Sequence, residues 1–282
     1  MRLANRGGRA WLVDEQGRGA DLAAASAGRF GPDPMQALAA WDALVAWEAA
    51  ARPRGDEPLD PRALGLCVPR PSKVFAIGLN YRDHALEAKL ELPKAPMVFT
   101  KFPSCLAGPT SDVLLFSERV DYEAELVAVI GRAARNVPEE RALAHVAGYC
   151  VGQDLSDRRH QFQDQPPQFS LGKSRESFGP IGPFITSLDA LADPNDLAIT
   201  CTLSGERVQS SRTRELIFGV PALVAYLSRH CALEPGDLVF TGTPGGVGSL
   251  RQPPRYLAPG DVIESEIEGL GRLANRCIEA PA

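Results

Sequence analysis

The sequence predicts an α+β protein: a mixed, mainly antiparallel β-roll or barrel-like domain with peripheral helices, preceded by a small N-terminal domain. Three observations lead to this prediction. Short segments rich in β-branched residues recur between glycines and prolines, helical patterns are fewer than strand patterns, and no internal repeat or low-complexity run is found. A chain of 282 residues with 44% hydrophobic composition is also long enough to bury a sizeable core.

Residues 1–70 are predicted to form the small N-terminal domain, and residues 71–282 the larger one. The first contains a short strand around Ala10–Val13 and a helical pattern at Met35–Ala51, and it carries no residues that suggest chemistry. The proline- and arginine-rich stretch ARPRGDEPLDPR closes it, and Lys73–Ile77 begins the β-rich region.

The larger domain is predicted to consist of short strands with few helices. The strand patterns are Met97–Lys101, Asp121–Ile130, Ala147–Gln153, Phe184–Thr186, Ala198–Ser204, Leu238–Thr241 and Val262–Ile267. Helical spacing occurs at Glu139–His145 and at Pro221–His230. Because strands outnumber helices, we expect the helices to lie at the periphery of the sheets.

Charge and composition exclude several classes of partner. The net charge of -5 and the absence of clustered Lys and Arg argue against a nucleic-acid surface. No apolar stretch is long enough to span a membrane and no signal peptide is visible, so we expect a cytoplasmic protein without a membrane partner. The six cysteines are scattered without a C-x-x-C pair, which predicts reduced, mostly buried thiols.

Two glutamates stand on what is predicted to be one face of a strand. Side chains alternate along a strand, so Glu123 and Glu125 point the same way as Val127 and Val129. Like-charged carboxylates that continue into a buried row repel each other and lose solvation unless a cation compensates them. The other interpretation is a solvated strand edge, which E-x-E patterns alone often are.

A third acid, Asp154, follows the apolar segment AHVAGYCV and could complete a metal site. Carboxylate oxygens favour hard ions, so the sequence predicts Mg²⁺ or Mn²⁺, with Ca²⁺ also compatible. The alternative is that Asp154 only caps a turn.

A histidine and a glutamate three residues apart form a second candidate pair. If the segment that contains His84 and Glu87 is helical, the two side chains face each other, and the carboxylate can orient the imidazole as a base. Such pairs are also common on surfaces. Lys173, in LGKS, and the glycine-rich TGTPGGVG at 241–248 could meet an anion, although a tight hairpin explains the second equally well.

Five segments, taken in order, closely resemble the fumarylacetoacetate hydrolase superfamily, acylpyruvate hydrolases in particular. They are IGLNYRDHALE, DYEAELVAVIG, GQDLSDRRHQ, LGKSRESFGPIGPF and LVFTGTPGGVG, and the resemblance covers about residues 73–278. It implies a mixed β-roll, a homodimer, and Mg²⁺ or Mn²⁺ held by Glu123, Glu125 and Asp154. It also implies a mobile lid that carries His84 and Glu87, with substrate contacts at Gln161, Lys173 and Thr243. Arg175 departs from the family, which often has an aromatic residue there, so it could face either ligand or solvent.

These expectations lead to a hypothesis for the reaction. The chain would be a divalent-metal-dependent hydrolase that cleaves a C–C bond in an acylpyruvate-like or other 1,3-dicarbonyl compound through a stabilised enolate. Its partner would be a small anionic oxo-acid or diketone. The alternatives are a decarboxylase of a β-keto acid such as oxaloacetate, a hydratase or isomerase of an oxo-enoate, and a protein that binds a metabolite without turnover.

Overall fold

A computed structural model describes residues 1–281 and shows a sheet-dominated α+β protein, as the sequence predicts. The strands are β1 (Arg2–Arg6), β2 (Arg9–Val13), β3 (Arg18–Asp21), β4 (Glu57–Pro58), β5 (Val74–Gly78), β6 (Met97–Thr100), β7 (Leu106–Ala107), β8 (Val113–Leu115), β9 (Val120–Asp121), β10 (Ala124–Ile130), β11 (Val146–Gln153), β12 (Ser156–Asp157), β13 (Gly179–Ser187), β14 (Ala198–Leu203), β15 (Glu206–Arg212), β16 (Leu238–Phe240), β17 (Val262–Ile267) and β18 (Gly271–Glu279).

The helices are short and lie around the sheets. They are α1 (Leu22–Ala25), α2 (Pro34–Ala39), α3 (Trp41–Ala51), α4 (Arg82–Glu87), α5 (Glu139–Ala142), α6 (Arg158–Gln161), α7 (Phe169–Gly172) and α8 (Val220–His230), together with several 3₁₀ turns. The predicted helix at Met35–Ala51 is divided at Ala40, where α2 ends and α3 begins.

Two sheets form the framework. The main sheet runs in the order β4-β3-β2-β1-β13-β11-β10-β16-β5-β6, with β7 beside β13. The second sheet runs β15-β14-β17-β18-β8, and β9 with β12 forms a separate ribbon. Most pairs are antiparallel; β16–β5, β13–β7 and β18–β8 are parallel. Within residues 1–281 the main sheet stays open and does not close into a barrel.

The first strands of the chain belong to the main sheet. β1 pairs antiparallel with β13, with Arg2 opposite Thr186 and Leu3 opposite Ile185. This pairing joins segments about two thirds of the chain apart, so local sequence patterns could not reveal it. The predicted division into residues 1–70 and 71–282 stays a prediction.

The central strand β10 is buried on both faces. All seven of its residues are buried, with Leu126 and Ala128 in the core between the sheets and Val127 and Val129 in the core beneath α2 and α3. The sequence of a strand that is covered on both faces is typically a continuous run of apolar residues. Glu125, which shares the Val127 face, is therefore carried into the interior by the strand itself.

The predicted strand Asp121–Ile130 is interrupted, which corrects that expectation. Asp121 pairs with Ser156 in the β9–β12 ribbon, and the main-sheet strand begins only at Ala124. The carboxylate of Asp121 accepts hydrogen bonds from the backbone N–H groups of Gly248 at 2.7 Å and Ser249 at 3.1 Å. These bonds draw Asp121 out of line with β10.

In residues 1–281 every helix is too short or too polar to span a bilayer.

Candidate active site

Three carboxylates meet because of the register between β10 and β11. In this antiparallel pair Ala124 lies opposite Gln153 and Glu125 opposite Gly152, so the start of one strand meets the end of the other. Just beyond the pair, the backbone N–H of Asp154 donates to the carbonyl oxygen of Glu123 at 2.9 Å. The structure thereby brings together the three acids that the sequence singles out as metal ligands.

The acidic triad, defined as Glu123, Glu125 and Asp154, is compact and buried. One carboxylate oxygen from each residue lies within 4.8 Å of the others, and all three residues are buried. Each buried carboxylate loses hydration and repels its neighbours, so the group is stable only beside positive charge.

Glu125 is the least favourable place for a negative charge among the three acids. Burial, and after it the neighbouring carboxylates of Asp154 and Glu123, raise the pKa of Glu125 well above its ordinary value. Its Oε2 accepts a hydrogen bond from the backbone N–H of Gly242 at 2.7 Å, which lowers the pKa only in part. A cation placed among the three acids would reverse this shift.

Lys173 neutralises part of the acidic triad from the end of α7. Its Nζ lies 2.8 Å from Oε2 of Glu123 and 2.7 Å from Oδ2 of Asp154, and the side chain is almost fully buried. Burial by itself raises the pKa of Glu123, but Lys173 and Arg158 outweigh it and hold that pKa below its usual range.

Arg158 is a residue of the site that the sequence interpretation missed. It begins α6, and its guanidinium donates to Asp121 at 2.9 Å, to Gln161 Oε1 at 2.9 Å and to Glu123. Arg158 and Gln161 are i and i+3 in one helical turn, so they share a face. A signal was present: a group of buried acids needs cations, and Arg158 stands four residues after Asp154.

Lys101 is a second missed residue, a buried lysine directly after β6. Its Nζ lies 2.7 Å from Oδ1 of Asp154. Burial lowers the pKa of Lys101, but Asp154 more than offsets this and raises it above the ordinary value. With Glu125 ionised, four carboxylates (Asp121, Glu123, Glu125 and Asp154) face three cationic side chains (Lys101, Arg158 and Lys173), so one negative charge remains for a bound cation to balance.

A cavity of 350 Å³ reaches the acidic triad at Glu123. Its polar lining includes His84, Glu123, Arg158, Gln161, Lys173 and Thr243. Its apolar lining includes Leu90, Met97, Phe99, Phe162, Phe169 and Leu250. An apolar cavity with a few convergent polar groups is the usual form of a small-molecule site.

The predicted His84–Glu87 pair lies on α4 at the mouth of this cavity. Nδ1 of His84 lies 3.6 Å from Oε2 of Glu87, which is an ion-pair distance and longer than a hydrogen bond. His84 Nδ1 is buried and makes no hydrogen bond within residues 1–281. Oε2 of Glu87 instead accepts from the backbone N–H of Gly246 at 2.9 Å.

Two further predicted residues line the cavity, and Arg175 does not. Gln161 is buried beside Arg158, while the hydroxyl of Thr243 donates to the carbonyl oxygen of Ala124 at 2.9 Å and accepts from Gln209 at 2.8 Å. Thr243 thus keeps one lone pair for a ligand. Arg175 lies 3.2 Å from Asp157 and stacks over Phe116, away from the residues that line the cavity.

The donor set fits a hard divalent cation. The acidic triad offers only oxygen atoms, which suit Mg²⁺, Mn²⁺ or Ca²⁺ better than zinc. The pKa of Glu125 is raised because the nearby cationic side chains do not fully offset its burial and the neighbouring carboxylates, and a bound cation would offset them. The predicted divalent cofactor is thus confirmed by a buried triad that is able to bind one.

An open-sheet α+β protein with such a buried triad, one member of which lines a cavity, belongs to the divalent-metal-dependent enzymes. Its family follows from its sequence. Residues 73–278 match the family described as fumarylacetoacetate (FAA) hydrolase C-terminal, and this chain belongs to that family.

Similar proteins include both isomerising and hydrolytic enzymes. The human protein named oxaloacetate tautomerase FAHD2A, mitochondrial, is 42% identical over 213 residues, which are 75% of this chain and 68% of that protein. A crystal structure from Mycobacterium smegmatis, provisionally named an HpcE protein, has a TM-score of 0.93 and 48% identity over the full length of both chains. Maleylpyruvate hydrolase from Sphingobium, solved with Mn²⁺ and pyruvate, has a TM-score of 0.82 and 29% identity, again over both full chains.

Proposed function

We propose that this enzyme interconverts the enol and keto forms of a small 2-oxo dicarboxylic acid of the oxaloacetate type, with a divalent cation held by Glu123, Glu125 and Asp154. The observation that carries the proposal is the position of the Lys173 ammonium, which lines the cavity and touches two of the three acids. The name of the human relative, at 42% identity, supports the choice of a tautomerase over a hydrolase.

The cation would supply Lewis-acid polarisation of the substrate carbonyl, which favours the enolate. Lys173 and Arg158 would attract the substrate anion to the cavity floor and neutralise charge that develops on its oxygens. Gln161 would donate an amide hydrogen bond to a substrate oxygen. Thr243, whose proton is already given to Ala124, would accept one from the enol hydroxyl.

The proton has to leave the enol oxygen while a proton is added to the carbon next to the carbonyl carbon, or the reverse. His84 would carry it, because its ring lines the cavity and its Nδ1 lies within 3.6 Å of the Glu87 carboxylate that can orient it. A small rotation of Glu87 would turn this contact into a hydrogen bond, since catalytic hydrogen bonds often shorten only when substrate is present.

A second candidate function is hydrolytic cleavage of an acylpyruvate, as the resemblance implies. The apolar side of the cavity favours it. The ring centroid of Phe169 lies 5.7 Å from that of Phe99 and 6.5 Å from that of Phe162. These three aromatic rings line the same cavity as the charged side chains. A four-carbon dicarboxylate has no apolar group for this surface, whereas an acyl or aryl substituent would pack on it. In this reaction His84 would take a proton from the attacking water.

One experiment separates the candidates. The Mn²⁺ enzyme is mixed with enol oxaloacetate and, separately, with alkyl and aryl acylpyruvates, and products are identified by mass spectrometry while ultraviolet absorbance follows the enol. The proposal expects rapid loss of the enol without a change in mass. Release of pyruvate from acylpyruvates favours the hydrolase, and loss of CO₂ from oxaloacetate favours the decarboxylase. The control is Mn²⁺ with the Glu125→Gln variant, which lacks one of the three carboxylates. It gives the slow rate of enolisation that the ion catalyses by itself.

We also propose that the enzyme is a homodimer and resides in the cytoplasm. The outermost strand of the main sheet, β6, exposes Met97 and Val98, and Phe102 lies just beyond it. Apolar side chains along an open sheet edge favour burial against another chain. Light scattering of the purified protein should give twice the chain mass of 30.3 kDa.

A further inference from the structure

We infer that Lys101 is a positioning residue of this site: it fixes the carboxylate of Asp154 within the acidic triad and the backbone of Lys173, whose side chain lines the cavity. The inference rests on the proposed function in one respect, since turnover serves as one of its two measurements.

The side chain of Lys101 is fully buried, although burying an ammonium group costs free energy. Its side chain is fully shielded from solvent, and the residue follows β6, where its backbone N–H donates to the carbonyl oxygen of Val74 at 3.0 Å. Removing an ammonium from water is costly, and an apolar side chain of similar size often serves stability as well or better. We therefore expect a buried lysine such as Lys101 to fix the position of the groups to which it donates hydrogen bonds.

The Nζ of Lys101 closes a ring of contacts among three separate segments. It donates to Oδ1 of Asp154 at 2.7 Å and to the backbone carbonyl oxygen of Lys173. The side-chain Nζ of Lys173 in turn donates to Oδ2 of Asp154 at 2.7 Å. Both oxygens of Asp154 and both ends of Lys173 are thus held.

This ring has a direct consequence for the acidic triad. Because Lys101 occupies Oδ1, the Asp154 carboxylate presents Oδ2 toward Lys173 and is prevented from rotating. The backbone anchor likewise sets where the Lys173 ammonium lies above the cavity floor. Lys101 itself lies outside the lining of the cavity among residues 1–281, so it acts through these two residues and not on the substrate.

The benzene ring of Phe240 helps to keep the ammonium of Lys101 in place. The Nζ lies 5.8 Å from the ring centroid, at the end of β16 in the main sheet. A cation near an aromatic face is attracted by its quadrupole. The ammonium is therefore held between the sheet and the acidic triad, on the side away from the cavity.

A double-mutant cycle tests the inference by turnover. Lys101→Met should lower kcat by about 10-fold to 100-fold with little change in KM, because small misplacement of a catalytic group is costly. In a Lys173→Met background the same change should cost clearly less than it does in the unmodified enzyme, because one of the two residues through which Lys101 acts is already gone. Losses that simply multiply would overturn the inference, as would full activity of Lys101→Met.

A second measurement needs no turnover. The electron paramagnetic resonance spectrum of bound Mn²⁺ depends on how its ligands are oriented, so Lys101→Met should change the line shape while Mn²⁺ still binds. A spectrum that superimposes on that of the unmodified enzyme would overturn the inference even if no substrate were turned over. If the unmodified enzyme is inactive on every substrate but the spectrum changes, the proposed function fails and the role of Lys101 stands.

Lys73→Met is the matched control. Lys73 also pairs with a buried acid, Asp237, at 2.9 Å, but at the start of β5 and away from the cavity. It should leave both kcat and the Mn²⁺ spectrum unchanged. If Lys101→Met is not recovered folded, Lys101→Leu takes its place, since it too is apolar and cannot donate to Asp154 or to the carbonyl oxygen of Lys173; the same two outcomes decide.

Discussion

The carboxylate of Glu87 accepts a hydrogen bond from the backbone N–H of Gly246 at 2.9 Å. The bond joins α4, which carries His84, to the glycine-rich turn at 241–248. A second bond, from the side chain of Ser211 to Asp83 at 2.7 Å, ties the same helix to β15. Two side-chain hydrogen bonds thus hold the helix that carries His84 beside the cavity.

Gly246→Ala should destabilise the enzyme and loosen α4. The φ of Gly246 is +100°, and an added Cβ would meet the carbonyl oxygen of Val208 at 2.1 Å. Strain and displacement together should cost about 1–3 kcal/mol or more in unfolding free energy, measured by urea denaturation. Gly205→Ala is the control: its φ is also positive, at +89°, but its added Cβ would have open space. Equal losses for the two variants would contradict the predicted clash.

Glu125→Gln should abolish tight cation binding. It removes one of the three carboxylates while it keeps the shape of the side chain and a group that can meet the N–H of Gly242. We expect Mn²⁺ affinity, measured by titration calorimetry, to fall by at least about 100-fold. Glu118→Gln, on the surface beside Arg159, should bind Mn²⁺ like the unmodified enzyme.

The stability of the metal-free enzyme should fall as the pH rises. The pKa of Glu125 is raised in the folded state by burial and by Asp154 and Glu123, so the folded chain keeps a proton that the unfolded chain loses near pH 4. The stabilisation is present below the unfolded pKa and is lost as the pH rises through the folded pKa.

Thermal unfolding between about pH 5 and pH 9 checks this dependence. The Tm of the metal-free protein should decline relative to that of Glu125→Gln, which stays neutral throughout. Saturating Mn²⁺ should remove the decline, since it binds the ionised carboxylate. Parallel Tm curves for the two metal-free proteins would show that Glu125 does not titrate in this way.

Lys173→Met should separate catalysis from cation binding. It removes the ammonium that faces the cavity but leaves all three carboxylates. We expect kcat to fall by about 10²–10³, the usual cost of removing one preorganised electrostatic group. Mn²⁺ should still bind, and more tightly, because a competing positive charge is gone. Weaker Mn²⁺ binding in calorimetry would mean that Lys173 holds the acids in position and does not compete for them.

Thr243→Val and Thr243→Ser test whether the hydroxyl acts on the substrate. The hydroxyl links Ala124 to Gln209, so its loss should cost about 1–3 kcal/mol of stability. Thr243→Ser keeps the group and should remain both stable and active. If Thr243→Val were as stable as the unmodified enzyme yet inactive, the contribution of the hydroxyl would be to the substrate alone.

The positions of several strands could be predicted from local sequence patterns. Val262–Ile267 is a strand with the predicted bounds. The strands at Leu238–Phe240, Ala198–Leu203 and Val146–Gln153 each differ from the prediction by one residue, at one end only. The second sheet needed partners that the patterns did not mark, such as β15 and β18. β15 buries only Val208 and Gln209, and the sequence of β18 is interrupted by charged residues, so neither has the apolar run that marks a buried strand.

The amino-acid sequence by itself predicted which acids come together as the candidate metal site, because alternation along the strand and the position of Asp154 after β11 are local properties of the chain. Only the tertiary structure decided how their charge is balanced. Lys101, Arg158 and Lys173 lie on three separate elements, and their ammonium and guanidinium groups meet the acids only when the sheet has paired and α6 and α7 have packed beside it. Electrostatic compensation depends on distances in space, and spacing along the chain does not record them.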